Sequence, residues 1–148
     1  MILKENIQDI SSLGGNAIYG IAALLFLFSP EGENVFWQLI TAYIFVCIIT
    51  IVTRFVHFSD RPDHQKYGRN IISKLDASGF PSLHAGRAAA LAVIIMNYFQ
   101  NSWVIIISIL TILGVAIARV ALKRHHVIDV MFGAILGVAS ALLTIKII

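Results

Sequence analysis

Charge is scarce in this chain: Asp, Glu, Lys and Arg make up 13% of its 148 residues, about half the share of a soluble domain. That scarcity excludes an ordinary water-soluble fold. Cysteine is reduced to Cys47, inside an apolar run, so neither an intrachain disulfide nor a thiolate metal site is available, and the redox compartment is unreadable from cysteine. Internal repeats and low-complexity tracts are missing. What is abundant is apolar: 58% of residues are hydrophobic and the mean hydropathy is +0.85, which excludes a disordered chain. A bilayer core of about 30 Å takes roughly 17–25 residues per helix, so this length supplies at most about six crossings. Residues 1–148 read as a single transmembrane domain.

Uninterrupted apolar runs fall at about Leu13–Phe28, Val35–Thr53, Ala85–Phe99, Trp103–Ala118 and Val127–Ile145, predicting an all-α, polytopic bundle of about five transmembrane helices. The shorter runs need polar flanks or a locally thinned bilayer to span. Lys4–Ser12 is polar enough for a short surface helix and makes a poor signal peptide. Arg87, one turn inside the third run, reads as an arginine snorkelling to the interface. The one long polar stretch, Arg54–His84, holds Asp60, Asp63, Asp76 and three histidines, broken by Pro62, Gly68, Gly79 and Pro81.

Five alternating crossings put that stretch, the N-terminus and the Arg119–His126 turn on one side. Ten basic residues share it (Lys4, Arg54, Arg61, Lys66, Arg69, Lys74, Arg87, Arg119, Lys123, Arg124), against Lys146 on the other. The positive-inside rule therefore favours a cytoplasmic face, in a cell (inner) membrane, although a charged site would itself demand some of those cations.

Three polar clusters stand at helix ends facing that side. Arg54 and Arg61 have six residues between them and are followed by Pro62; Phe80-Pro81-Ser82-Leu83-His84 opens the third run; five residues lie between Arg119 and His125, and three more between His125 and Asp129. Three guanidiniums beside two histidines suit an anion with several oxygens, and helix N-termini near Ser82 and His125 add amide donors. Phosphate is the natural candidate. On a helix, His125 and Asp129 at i and i+4 share a face, so Asp129 is placed to accept from one ring nitrogen and leave the other as a nucleophile. His84 is then available to protonate a departing alkoxide, with no metal or other cofactor required.

Taken in order, Arg54-x6-Arg61-Pro62, Pro81-Ser82-Leu83-His84 and Arg119-x5-His125-x3-Asp129 resemble the three-part signature of the type 2 phosphatidic acid phosphatase (PAP2) superfamily, K-x6-RP, PSGH and SR-x5-H-x3-D. The resemblance covers roughly Asp9–Leu143. It implies a metal-independent lipid phosphatase working through a phosphohistidine: His125 as nucleophile, Asp129 orienting it, His84 as general acid, and Arg54, Arg61, Ser82, the Leu83 amide and Arg119 cradling the phosphate. Arg54 replaces the family's lysine, Leu83 its usual glycine and Ala118 its usual serine; six crossings are usual, and the missing one would precede Asp9. The implied substrates are phosphatidic acid, phosphatidylglycerol phosphate, polyprenyl mono- or diphosphates and lipid A phosphates, met at the bilayer surface.

Competing readings run beside these. Arg54 and Arg61 taken singly read as interfacial anchors. His57, His64 and His126 read as surface or supporting residues, and Lys123 and Arg124 as interfacial charges. A histidine-rich metal site conflicts with three nearby arginines, and basic residues flanking apolar spans do not make a nucleic-acid surface. The Leu83 form resembles relatives that transfer a phospho-headgroup between lipids, which keeps a phosphotransferase open, as it keeps a non-catalytic phosphate-binding protein. Oligomeric state is open; Gly133 and Gly137, a small-x3-small pair, are read as packing helices within the chain.

Overall fold

The computed structural model describes residues 2–62 and 70–148, the side chains of 2 and 3 excepted; Asp63, His64, Lys66, Gly68 and Arg69 lie outside the described residues. Among the described residues the chain forms α1 (Ile2–Ser12), α2 (Asn16–Leu27), α3 (Glu33–Val56), α4 (Ile71–Ala77), α5 (Leu83–Phe99), α6 (Ser102–Ala121) and α7 (Val127–Ile147), with no strand. Segments 4–27, 33–56, 102–121 and 127–147 are long and apolar enough to cross a membrane, and α5 is a shorter apolar helix. At 1.5 Å per residue, its 17 residues reach about 25 Å. The result is an all-α, polytopic membrane bundle.

Local chemistry sets the boundaries. Leu13-Gly14-Gly15 separates the polar α1 from the apolar α2, and the Asn101 side chain caps α6 by accepting from Trp103 N–H at 2.9 Å. Trp103 itself is exposed at that end, where an indole suits the membrane interface.

The bundle is organised around α5, which packs most extensively on α7 and also meets α3 and α6. Its buried face is nearly all small, Ala85, Gly86, Ala88, Ala89, Ala90 and Ala92, which lets backbones approach where lipid supplies no hydrophobic drive. A Cβ on Gly137 would run into the Gly86 carbonyl, and one on Gly133 into the Ser82 carbonyl. The glycine pair thus packs helices within the chain. Below this contact Leu39, Ala42, Val46, Ala90, Ile94 and Ala141 form the core, while Leu25, Phe55, Leu110 and Ile135 point outward, as lipid-facing side chains do.

Candidate active site

At one end of the bundle, the C-termini of α3 and α6 meet the N-termini of α5 and α7, and α1 lies across them. Between them is a cavity of about 830 Å³, lined by Lys4, Gln8, Ser11, Ser12, Asn16, Arg54, Arg61, Asp76, Leu83, His84, Arg87, Arg119, Leu122, Arg124 and His125. Among the described residues, six cationic side chains and one carboxylate therefore face the space. Of the residues singled out from the sequence, Arg54, Arg61, Leu83, His84, Arg119 and His125 line it; Ser82 and Asp129 are buried behind it.

His125 is 2% exposed. Its Nδ1 lies 2.7 Å from the Gly79 carbonyl, which can only accept, so Nδ1 carries the hydrogen and Nε2 the lone pair. Nε2 in turn lies 3.3 Å from Arg119 Nη2. Burial first, then the Arg119 and Arg61 charges, push the His125 pKa down to about 3, against a smaller upward pull from the Gly79 carbonyl. The imidazole is thus neutral at neutral pH, the state a nucleophile needs.

The structure corrects the i, i+4 expectation for Asp129. Its Oδ2 is 3.8 Å from His125 Nδ1 and accepts instead from His126 N–H at 2.8 Å. The reason is register: α7 begins at Val127, so His125 precedes the helix and the helical spacing does not apply to it. Asp129 caps the first turn of α7, and its backbone carbonyl accepts from Ser82 N–H at 2.9 Å. It joins the two helix starts. Gly79, which no motif singled out, orients the ring.

Arg54 and Arg61 shape the same loop. Arg54 donates from Nη1 to Leu75 O at 3.1 Å and from Nη2 to Pro81 O at 3.0 Å, and Arg61 Nη2 donates to Asp76 O. These bonds hold the backbone on both sides of Gly79. Arg119 Nη1 donates to Ser11 Oγ at 3.2 Å, which brings α1 into the site. Arg54 Nε, Arg87 Nε, Arg119 Nε and Ser82 Oγ are buried with no hydrogen-bond partner among the described residues. Such donors are costly unless an acceptor arrives, and an oxyanion of several oxygens supplies acceptors to more than one of them.

Arg87 is not a snorkelling residue. It is 4% exposed, lines the cavity, and sets Nη2 3.4 Å from His84 Nδ1. The i, i+3 spacing from His84 is the signal that would have found it. Arg124 also lines the cavity, whereas Lys123, His57 and His126 are exposed. Among the described residues no three His, Cys, Asp or Glu side chains gather within reach of one ion.

The sequence model of the PAP2 superfamily matches residues 35–148 of this chain. The crystal structure of Aquifex aeolicus LpxE superposes with a TM-score of 0.78 at 20% identity, over 98% of this chain and 86% of that one. A PAP2-type phosphatidylglycerolphosphate phosphatase from Bacillus subtilis superposes with a TM-score of 0.74 at 22% identity, over 98% of this chain and 76% of that one. At these identities the likeness to the two structures is one of fold.

Proposed function

The chain belongs to the PAP2 superfamily and is a membrane lipid phosphatase in the general sense of that superfamily; from that premise we propose that it removes a phosphate from a lipid at the surface of the cell (inner) membrane through a phosphohistidine on His125. The observation that carries this reading is the fixed tautomer of His125. Its Nδ1–H is spent on the Gly79 carbonyl, and its Nε2 lone pair, met at 3.3 Å by Arg119 Nη2, belongs to a ring that lines a cavity rich in arginines.

In the first step Nε2 bonds to phosphorus and the bond to the lipid oxygen breaks. Charge on the equatorial oxygens is met by Arg119, Arg54, Arg61 and the first-turn amides of α5, which have no partner within the helix. Arg119 Nη2, resting on Nε2, turns its hydrogen bond over to a phosphate oxygen as the nucleophile engages. His84 lies by the departing oxygen. Water then attacks the phosphohistidine, releasing inorganic phosphate and restoring the imidazole. Asp129 acts from behind by fixing the α7 start against Ser82. An apolar groove of about 290 Å³ between α2, α5 and α6 includes Ala88, Ala92 and Ile95, which follow His84 down one face of α5; it gives a lipid tail a place beside the site.

The test is phosphate release from a panel of lipid mono- and diphosphates in detergent with excess EDTA, comparing wild type with His125→Ala. Release that persists in EDTA and vanishes in the variant, with an acid-labile, alkali-stable phosphoenzyme trapped only in wild type, is expected. Undiminished turnover by His125→Ala would remove the covalent route, and loss in EDTA would restore a metal site. Product formed only when a lipid alcohol is added would identify a transferase.

A further inference from the structure

Besides Lys4 and Arg124, Arg87 is a cation lining the cavity that the phosphate cradle does not use, and it is the one of the three in contact with His84. It sits one turn inside an apolar spanning helix and is 4% exposed, with no carboxylate partner among the described residues. Among the described residues its Nε has no hydrogen-bond partner, its Nη2 meets His84 Nδ1 at 3.4 Å, and its guanidinium stands 6.0 Å from the centre of the Tyr43 ring. A lone aromatic face does not neutralise a guanidinium buried at membrane depth, where charges are kept for a partner or a ligand. The cavity already sets three arginines around His125, enough for one phosphate.

The contact with His84 points the same way. An arginine N–H only donates, so His84 Nδ1 accepts, and the ring is neutral with its hydrogen on Nε2. A fixed positive charge on Nδ1 opposes the imidazolium that would best protonate an alkoxide. A leaving group that is itself a phosphate is far less basic and needs only a hydrogen bond and a cation. Arg87 supplies the cation and the His84 Nε2–H the hydrogen bond.

We propose, resting on the phosphatase reading above, that Arg87 binds the inner phosphate of a lipid diphosphate and makes phosphoanhydrides the preferred substrates of this site. His125 Nε2 forms its bond to the terminal phosphorus while the bond from that phosphorus to the bridging oxygen breaks. The bridging oxygen leaves with the electron pair as part of a lipid monophosphate held by Arg87. One water then cleaves the phosphohistidine, so one water is consumed, one lipid monophosphate and one inorganic phosphate are formed, and the proton passes to solvent.

The experiment compares farnesyl diphosphate with farnesyl monophosphate in one detergent, for wild type, Arg87→Gln and Arg87→Lys. Wild type should favour the diphosphate at least about tenfold in kcat/KM. Arg87→Gln should lower the diphosphate value on the order of 100-fold and the monophosphate value by no more than about fivefold, with Arg87→Lys recovering part of the loss. Inhibition of wild type by methylenediphosphonate, which cannot be cleaved, should exceed inhibition by methylphosphonate, a comparison independent of how the variants fold. Equal use of both lipids, equal losses on both in Arg87→Gln, or equal inhibition by the two phosphonates overturns the inference while leaving the phosphatase reading in place. Wild type that releases phosphate from neither lipid brings down both.

Discussion

Replacing Gly133 by alanine tests how tightly the proposed phosphate cradle and the proposed nucleophile, His125, are tied to one another. The added Cβ would run into the Ser82 carbonyl oxygen and lie 3.1 Å from its carbon and 3.2 Å from the Ser82 nitrogen, and a backbone cannot rotate out of the way as a side chain can. Relief requires the start of α5 and the first turns of α7 to separate by an ångström-scale shift, stretching the Ser82 N–H to Asp129 bond of 2.9 Å. Overpacking of this kind costs about 1–3 kcal/mol in stability, and a misplacement of about 1 Å between reacting groups costs on the order of 100-fold in turnover. Two other glycines calibrate the result. Gly137→Ala meets the Gly86 carbonyl and comes within 3.0 Å of Ala89 Cβ, one turn deeper, so it should lose comparable stability while its folded fraction keeps more activity. Gly20, where an added Cβ would find nothing within 4 Å, should tolerate alanine and gain up to about 1 kcal/mol of helix stability. The assay is kcat/KM for phosphate release beside thermal unfolding in detergent. Gly133→Ala that keeps wild-type kcat/KM within about twofold would refute the idea that this contact positions the chemistry.

Below pH 6.5 an unfolded His125 takes a proton that the folded one, with its pKa held near 3, refuses, so stability should fall as pH drops from about 6.5 to 3, at up to about 1.4 kcal/mol per pH unit. His125→Asn should show a shallower fall in Tm over that window; an unchanged slope would contradict it. Ser11→Ala removes the hydroxyl that accepts from Arg119 and should lower kcat/KM by about 0.5–1.5 kcal/mol in activation terms, with no effect as the refuting result. With Lys74→Cys on a Cys47→Ala background, an impermeant thiol reagent should label only permeabilised cells if the site faces the cytoplasm; labelling of intact cells would put it outside.

The spans and the three motif clusters were legible because each depends on local pattern: apolar runs, and polar residues at the ends of those runs. Lys4–Ser12 was legible as a helix for the same reason, and α1 runs from Ile2 to Ser12. What sequence did not disclose is direction. An arginine one turn inside a helix end looks alike whether it faces lipid or a cavity, and Arg87 faces inward because Gly86 packs against α7 on the same helix. The orienter of His125 was hidden for a related reason. Gly79 acts through its carbonyl, a group every residue carries, and its place beside the ring depends on backbone held by Arg54 and Arg61 from elsewhere in the chain. Asp129 does come within 3.8 Å of His125 Nδ1 as the spacing indicated, but with His125 lying before the helix start the shorter contact of Nδ1 is with the Gly79 carbonyl.

The hydrogen bond between Ser11 and Arg119 joins residues 108 positions apart, and that distance has a meaning for biogenesis. During synthesis α1 emerges well before α6 and waits through three further spans before α6 can offer its arginine, and longer before His125 follows. A chain that ends with α6 already holds the arginines of the proposed cradle but not His125, so a nascent protein passes through the insertion machinery without the proposed nucleophile. Catalytic competence thereby becomes a readout of completed membrane assembly.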